Sequence, residues 1–116
     1  MSKSTITIDL HLDEQKVPEK IMWVSANEPT DERNKAKGVI LSLWDGAEKT
    51  ALRIDLWTKD MMVDEMTDFF YQTIMTMADT YDRATHDDEL VNDMKTFAKL
   101  FYQKFRKKQE QTNKLS

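Results

Sequence analysis

The chain has 116 residues, 40% hydrophobic and 33% charged, which supplies enough apolar material for the core of one compact domain and enough charge for a soluble surface. Its formal net charge of −4 argues against non-specific nucleic-acid binding, and the absence of cysteine excludes disulfides, thiolate metal sites and cysteine nucleophiles. No apolar run approaches the roughly 20 residues that span a bilayer, and the opening MSKSTITIDL lacks a signal-peptide core. We therefore expect a cytoplasmic protein with no direct membrane insertion and no nucleic-acid partner.

Two strands and a polar loop are predicted in the first part of the chain. Residues Thr5–Leu12 alternate apolar with polar side chains, as in a half-buried strand. Residues Lys20–Ser25 form a second strand, in which Ile21 and Trp23 are expected on the face turned away from the core. The charged segment 28–37 is expected to be a surface loop.

A β-hairpin is predicted over the next two apolar runs. Residues Gly38–Trp44 also fit one face of a helix, but the β-branched residues at its start and the turn signal that follows favour a strand. A two-residue Asp-Gly turn would leave the apolar residues of the two strands opposite polar ones. A four-residue loop from Gly46 to Lys49 pairs Leu43 with Leu52, and we prefer it because apolar side chains then meet on one face.

Two amphipathic helices follow the strands. The first is expected to start with Asp60 as its N-cap and to run for about six turns. Thr85 and Asp88 resemble a capping box that opens the second helix, and the apolar pattern fades past Arg106. The apolar stripes consist of Met62, Met66, Phe69, Phe70, Thr73, Ile74, Met77 and Tyr81 in the first helix and of Leu90, Met94, Phe97, Ala98, Phe101 and Phe105 in the second.

This order of elements predicts an α+β fold. Strands followed by helices indicate a two-layer domain, with a four-stranded antiparallel sheet and both helices packed on one of its faces. We expect a single domain over residues 1–109 and a frayed or disordered basic tail over residues 110–116.

Charge is divided unevenly between the two predicted helices. Residues 60–93 carry ten acidic side chains and one base, whereas residues 94–116 carry seven bases and one acid. Two explanations stay open at this point: the pattern follows from helix electrostatics, or it marks a docking surface.

No residue pattern indicates catalysis, a metal or a cofactor. The run His86-Asp87-Asp88-Glu89 could supply metal ligands, but acids at a predicted helix start also complement the helix dipole, and no calcium-binding spacing is present. The two glycines do not form a phosphate-binding motif, and neither histidine suggests a catalytic triad. We therefore expect a protein that is not an enzyme and that needs no cofactor or metal.

The face of the sheet turned away from the helices is the candidate partner interface. Three indoles on one exposed face would form a larger apolar patch than soluble monomers usually carry. The alternatives are that the loop 28–37 covers this face or that tryptophans at strand ends turn into the core. By strand parity the face consists of Trp23, Ile40, Trp44, Arg53, Asp55 and Trp57.

The second half of the chain resembles a known family. Between Leu52 and Thr85 it contains the runs LRIDLWTKDM, VDEM, DFFYQT and MADTYDRAT, which are similar to the gliding-motility protein GldC of gliding Bacteroidetes. The resemblance implies a role in bacterial gliding, in a system linked to protein secretion through the cell envelope. It implies no catalytic residues.

Two functions are compatible with these observations. The first is a non-catalytic cytoplasmic component of the gliding machinery, which contacts protein partners of the gliding or secretion system or forms a homodimer. The second is a module that binds a peptide or client protein in a Met-rich helical groove lined by Met61, Met62 and Met75.

Overall fold

The structure is a computed structural model that describes residues 2–25 and 34–115. Within these residues, five strands are followed by two helices: β1 (Ile6–Leu12), β2 (Pro18–Ser25), β3 (Asn34–Ala36), β4 (Gly38–Asp45), β5 (Thr50–Trp57), α1 (Val63–Thr85) and α2 (Asp88–Leu115). The chain divides into two compact units, residues 1–61 and residues 62–116, which we call the sheet unit and the helical unit.

The first sheet has three antiparallel strands in the order β1-β2-β3. The turn between β1 and β2 is held by Asp13, whose carboxylate accepts hydrogen bonds from the backbone amides of Gln15 and Val17 at 2.8 and 2.9 Å. Lys16 adopts a left-handed conformation in this turn, with φ of 63°. A short acidic side chain thus replaces backbone partners in the turn, as in Asx-type turns.

The strand β3 lies in the segment predicted to be a loop. Its residues pair antiparallel with β2, and Ala36 lies opposite Ile21. The loop prediction is therefore wrong for residues 34–36, while residues 26–33 lie outside the described part of the chain. Strand pairing uses backbone N–H and C=O groups, so the three residues Asn-Lys-Ala form a strand without the apolar alternation that would indicate one.

The second sheet is the predicted β4–β5 hairpin. Leu43 lies opposite Leu52, Leu41 opposite Ile54 and Gly38 opposite Trp57, so the predicted register and the four-residue loop are confirmed. At the start of the loop, the Asp45 carboxylate accepts hydrogen bonds from the backbone amides of Ala47 at 3.0 Å and Glu48 at 3.2 Å.

The prediction of a single four-stranded sheet is wrong. The described residues form two antiparallel sheets, one of three strands and one of two. The short β3 occupies the second edge of β2, and the chain bends at Lys37 before β4 begins. Because that edge of β2 is already paired, β4 pairs with β5 and starts a separate sheet.

The buried side of the three-stranded sheet is centred on Ile21, which is only 1% exposed. Ile21 lies opposite Leu10, and Trp23 lies opposite Ile8. Residues directly opposite each other in an antiparallel pair project on the same side, so Ile21 and Trp23 share the apolar face of β1. The prediction that Ile21 points away from the core is wrong, because the parity of β2 depends on its partner strand and not on its own sequence alone.

The first helix begins two residues later than the predicted cap implies. The backbone amide of Met62 donates a hydrogen bond of 3.1 Å to the Glu65 carboxylate, and Val63 is the first helical residue. Asp60 instead accepts a hydrogen bond of 2.5 Å from the Thr58 hydroxyl. The predicted N-cap is therefore wrong, because Asp60 is bound to Thr58 in the preceding turn.

Only two residues join α1 to α2. His86 has a left-handed conformation with φ of 56°, and its amide donates to the Asp82 carbonyl at the end of α1. The Asp87 carboxylate accepts a hydrogen bond of 3.2 Å from the amide of Leu90 and so caps α2. The predicted capping box at Thr85 is wrong, since Thr85 is still the last residue of α1.

The two helices pack closely against each other. The residues buried between them are mostly small: Thr67, Ala78, Val91 and Ala98. The rings of Tyr71 and Tyr102 stack with centroids 4.9 Å apart. Small side chains let the two helix backbones approach each other closely, and the side chains between the helices are therefore buried.

The α+β class and the order of strands before helices are confirmed. The packing of both helices on one face of a sheet stays a prediction, as do the single domain over residues 1–109 and the fraying of residues 110–116. The helix α2 extends to Leu115, beyond the point at which its apolar pattern fades.

Candidate functional site

The candidate surface is the face of the β4–β5 hairpin that carries Trp44 and Trp57. We call it the outer face; it is made of Ile40, Trp44, Arg53, Asp55 and Trp57. These residues share a face because the observed register places Ile40 opposite Asp55 and because residues two apart on a strand point to the same side. The two tryptophans are 69% and 57% exposed. Indoles normally bury most of their area, so this face presents an unusual amount of aromatic surface.

A charged pair lies between the two indoles. The Arg53 guanidinium contacts the Asp55 carboxylate, with Nη2–Oδ distances of 3.2 and 3.3 Å. Both side chains are well exposed, so the pair contributes little to stability. Breaking the Arg53–Asp55 pair therefore costs little free energy, and each side chain can form an ion pair with a charged group of a partner protein instead.

The outer face is a row and not a compact cluster. Trp44 lies opposite Ala51, and Trp57 is the last residue of β5. From Ala51 to Trp57 the strand rises about 20 Å, so an indole stands near each end of the row with the charged pair between them. This arrangement suits a linear partner segment with apolar side chains at both ends and charges in the middle.

Trp23 does not belong to this row. It lies in β2, in the three-stranded sheet, on the same face as Ile21. Its side chain is 37% exposed, the least of the three tryptophans. The structure therefore brings together five of the predicted site residues and places Trp23 elsewhere.

An apolar cleft separates the two sheets within the sheet unit. It has a volume of about 130 Å³ and is lined by Ile8, Leu10, Val39, Leu41 and Ile54. Pockets for small molecules usually have volumes of about 300 to 1,000 Å³. The cleft is therefore a gap in the packing of two sheets and does not suit a small-molecule ligand.

A cluster of charged side chains lies beside the β1–β2 turn. Lys59 forms ion pairs with Asp13 and with Glu19, the latter at 3.6 Å between Nζ and Oε1. The hydrogen bond from Lys59, followed by that from the amide of Val17, lowers the pKa of Asp13, and the same contact with Asp13 raises the pKa of Lys59. Both groups are held in their charged forms, which suits an ion pair and not proton transfer near neutral pH.

The metal-ligand pattern at His86 has a structural use. Asp87 caps α2, and His86 terminates α1. Among the residues that the structure describes, no group of three or more histidine, aspartate or glutamate side chains could hold a metal ion. Neither of the two helices, over the same residues, is both long and apolar enough to cross a membrane.

The opposite charges of the two helices meet across the helical hairpin. Lys95 forms an ion pair with Asp79, with 2.9 Å between Nζ and Oδ1. The contact with Asp79 is the main reason that the pKa of Lys95 is raised, and the charge of Asp82 adds to the effect. The Arg106 guanidinium donates to the Tyr102 hydroxyl at 3.2 Å, and this contact is the main reason that the pKa of Arg106 is raised. Part of the uneven charge distribution therefore serves pairing within the hairpin.

The helical unit also carries an exposed apolar surface made of residues from the two predicted apolar stripes. The exposed residues on this flank are Phe70, Met77, Leu90, Phe97 and Phe101. The small residues Ala78 and Ala98 are the sequence signal that could have revealed this surface. Helices that meet through small residues leave the larger apolar side chains beside the contact exposed.

Comparison with known proteins gives one family match. The model of a family described as gliding motility-associated protein GldC-like matches residues 18–107. This range runs from the first residue of β2 into α2 and contains all four runs that carry the resemblance. Searches of curated proteins and of solved structures found no match.

Proposed function

Because the chain belongs to the GldC-like family of gliding motility-associated proteins, we propose that it is a non-catalytic component of the bacterial gliding machinery that works by binding another protein. The proposed binding surface is the outer face of the β4–β5 hairpin. A cytoplasmic location and a partner from the gliding or secretion machinery belong to the same proposal.

The observation that carries the proposal is the exposure of both indoles of the outer face. Trp44 and Trp57 flank the Arg53–Asp55 pair, and both stand in solvent at more than half of their area. Aromatic residues with an arginine between them are the composition found at the centres of protein interfaces. Burial of the two rings would supply most of the affinity, and the charged pair would select the partner's orientation.

What supports a non-catalytic role is the state of the polar groups. Lys59 and Asp13 are bound to each other, and their pKa shifts keep both charged. Thr58, the buried hydroxyl of the sheet unit, donates its hydrogen bond to the Asp60 carboxylate. These groups stabilise turns and strand ends, and their hydrogen bonds are already used.

The alternative function, a Met-rich groove for a peptide or client protein, is not favoured by the helix geometry. Met62 precedes the first helical residue of α1, and Met75 lies 12 residues, or about 18 Å, beyond Val63 along the helix. Met77 lies on the exposed flank with Phe70, whereas Met75 lies on the other side of the helix. A single groove therefore cannot be lined by Met62 and Met75 together.

Affinity capture from the native cell with mass spectrometry tests the proposal. The parent protein is compared with the double variant Arg53→Glu, Trp57→Ser, and Trp23→Ser serves as a control because that indole is not on the outer face. We expect the double variant to lose an envelope-associated partner that the parent and Trp23→Ser retain. An identical set of captured proteins from the double variant and the parent would refute the assignment of the outer face.

Cell fractionation tests the location. We expect the protein with the cytoplasmic fraction in cells that lack its partner. Recovery from the periplasm would contradict the proposed cytoplasmic location.

A further inference from the structure

We propose that two copies of this chain associate through the exposed apolar flank of the helical unit, as an antiparallel four-helix bundle with a twofold axis across the middle of the hairpin. The proposal concerns a different surface from the outer face of the β4–β5 hairpin. It is independent of the proposed function.

The flank is apolar and uncharged over its central part. On α1 it presents Phe70 and Met77, and on α2 it presents Phe97 and Phe101, whose rings stack with centroids 6.2 Å apart. Phe97 remains 59% exposed, although aromatic side chains in helices are normally covered. A contiguous exposed apolar flank of this kind marks an interaction site.

The charges beside the phenylalanines are self-complementary. Asp93 and Glu89 lie four and eight residues before Phe97, and Lys104 and Lys108 lie three and seven residues after Phe101. In the part of the chain that the structure describes, Asp93 has no ion-pair partner, and neither do Lys104 and Lys108. An antiparallel second copy would place acids opposite lysines at both ends of the aromatic centre.

The positions agree with one twofold axis on α2. The midpoint of Phe97 and Phe101 is Lys99, and the midpoint of Asp93 and Lys104 lies between Ala98 and Lys99. The two midpoints differ by half a residue, or about 0.8 Å along the helix. Each Asp93 would then lie near Lys104 of the second copy, about 8 Å from the axis.

The same axis passes through α1. The midpoint of Phe70 and Met77 lies between Thr73 and Ile74. The hairpin register, given by the Tyr71–Tyr102 stack and the Asp79–Lys95 pair, places this level of α1 opposite Leu100 of α2, one residue or about 1.5 Å from Lys99. The centres given by the two helices agree to within about 2 Å, and Phe70 would pack on Met77 of the second copy.

The flank is large enough for a stable dimer. The 23 residues of α1 extend about 35 Å, and two adjacent helices about 9 Å apart make a surface about 20 Å wide. One copy would therefore bury about 700 Å², close to the roughly 800 Å² per partner of ordinary specific interfaces.

A charge-exchange experiment on the full chain tests the proposal. Variant one carries Glu89→Lys and Asp93→Lys, and variant two carries Lys104→Glu and Lys108→Glu. Each variant alone places like charges opposite each other in the antiparallel dimer, so we expect its dissociation constant in analytical ultracentrifugation to rise at least about tenfold. An equimolar mixture restores opposite charges at every contact, and we expect it to form a heterodimer about as tight as the parent dimer.

The control variant carries Lys99→Glu, which lies about 160° around α2 from Phe97 and therefore outside the flank. We expect it to dimerise like the parent. Far-UV circular dichroism verifies that every variant is folded.

Four results would overturn the proposal. The first is a parent chain that stays monomeric at its highest soluble concentration, which would instead favour coverage of the flank within one copy. The second is a dimer that both charge variants leave unchanged. The third is a mixture that fails to associate although each variant is folded. The fourth is a dimer that Trp57→Ser dissociates and the charge variants do not.

Discussion

Truncation of Ile21 tests where the core of the sheet unit lies. Ile21 is 1% exposed, and Ile21→Ala removes three carbon atoms from this buried site. At about 0.8 kcal/mol for each buried methylene-sized group, the transfer contribution is about 2.4 kcal/mol. The cavity left behind adds to this value, so we expect unfolding free energy to fall by about 2.5 to 4 kcal/mol.

The matched control is Ile6→Ala in the neighbouring strand. Ile6 is the same residue type in the same sheet, but it is 69% exposed. Only about a third of its side chain is buried, so the same truncation is expected to cost about 0.7 kcal/mol. The difference between the two variants isolates burial from any change in strand propensity.

Urea denaturation followed by tryptophan fluorescence measures both variants. The three tryptophans of the chain all lie in the sheet unit, so their emission reports unfolding of that unit. Equal losses for Ile21→Ala and Ile6→Ala, or a loss below about 0.5 kcal/mol for Ile21→Ala, would refute the assignment of Ile21 to the core.

Three further predictions concern other parts of the structure. Lys59→Met should make the stability of the sheet unit depend less on pH in the acid range. The lowered pKa of Asp13 gives stability that is present above its unfolded pKa of about 4 and is lost as the pH falls through the folded value. Urea titrations from pH 3 to 6 measure this pH dependence. Thr58→Val should cost about 1 kcal/mol in the same assay, because the buried hydroxyl loses its bond to a carboxylate; an unchanged midpoint would contradict that role. Ala98→Leu should lower the stability of the helical unit by about 1 to 3 kcal/mol in thermal melts, whereas Gln103→Leu at an exposed position should not; equal effects would argue against close packing.

The revised position of Phe70 shows why burial cannot be read from a stripe alone. A central site would make Phe70→Ala cost about 3 to 5 kcal/mol. Phe70 is 43% exposed in the structure, so we expect a smaller loss than for a fully buried phenylalanine. Periodicity shows which side of a helix is apolar, but it does not show how much of that side a neighbour covers.

The residues that share the outer face could be predicted from the sequence because they all lie in one hairpin. The apolar pattern of β4 and β5 and the loop length between them determine the register, and the register determines which side chains share a face. Trp23 could not be placed in this way. Its position depends on the pairing of β2 with β1 and β3, which are separate elements with their own register.

The family could be recognised from four runs of residues that resemble it. The α+β order of elements, the β4–β5 register and the two amphipathic helices could be predicted from sequence, because each depends on neighbouring residues and on the periods of strands and helices. Four features became visible only in the folded chain: β3 occupies the second edge of β2, the strands form two sheets, Ile21 is buried, and Ala78 and Ala98 make the helix contact. These features depend on contacts between residues distant in the chain. Backbone hydrogen bonding and close packing select among such contacts, and neither leaves a periodic pattern in the sequence.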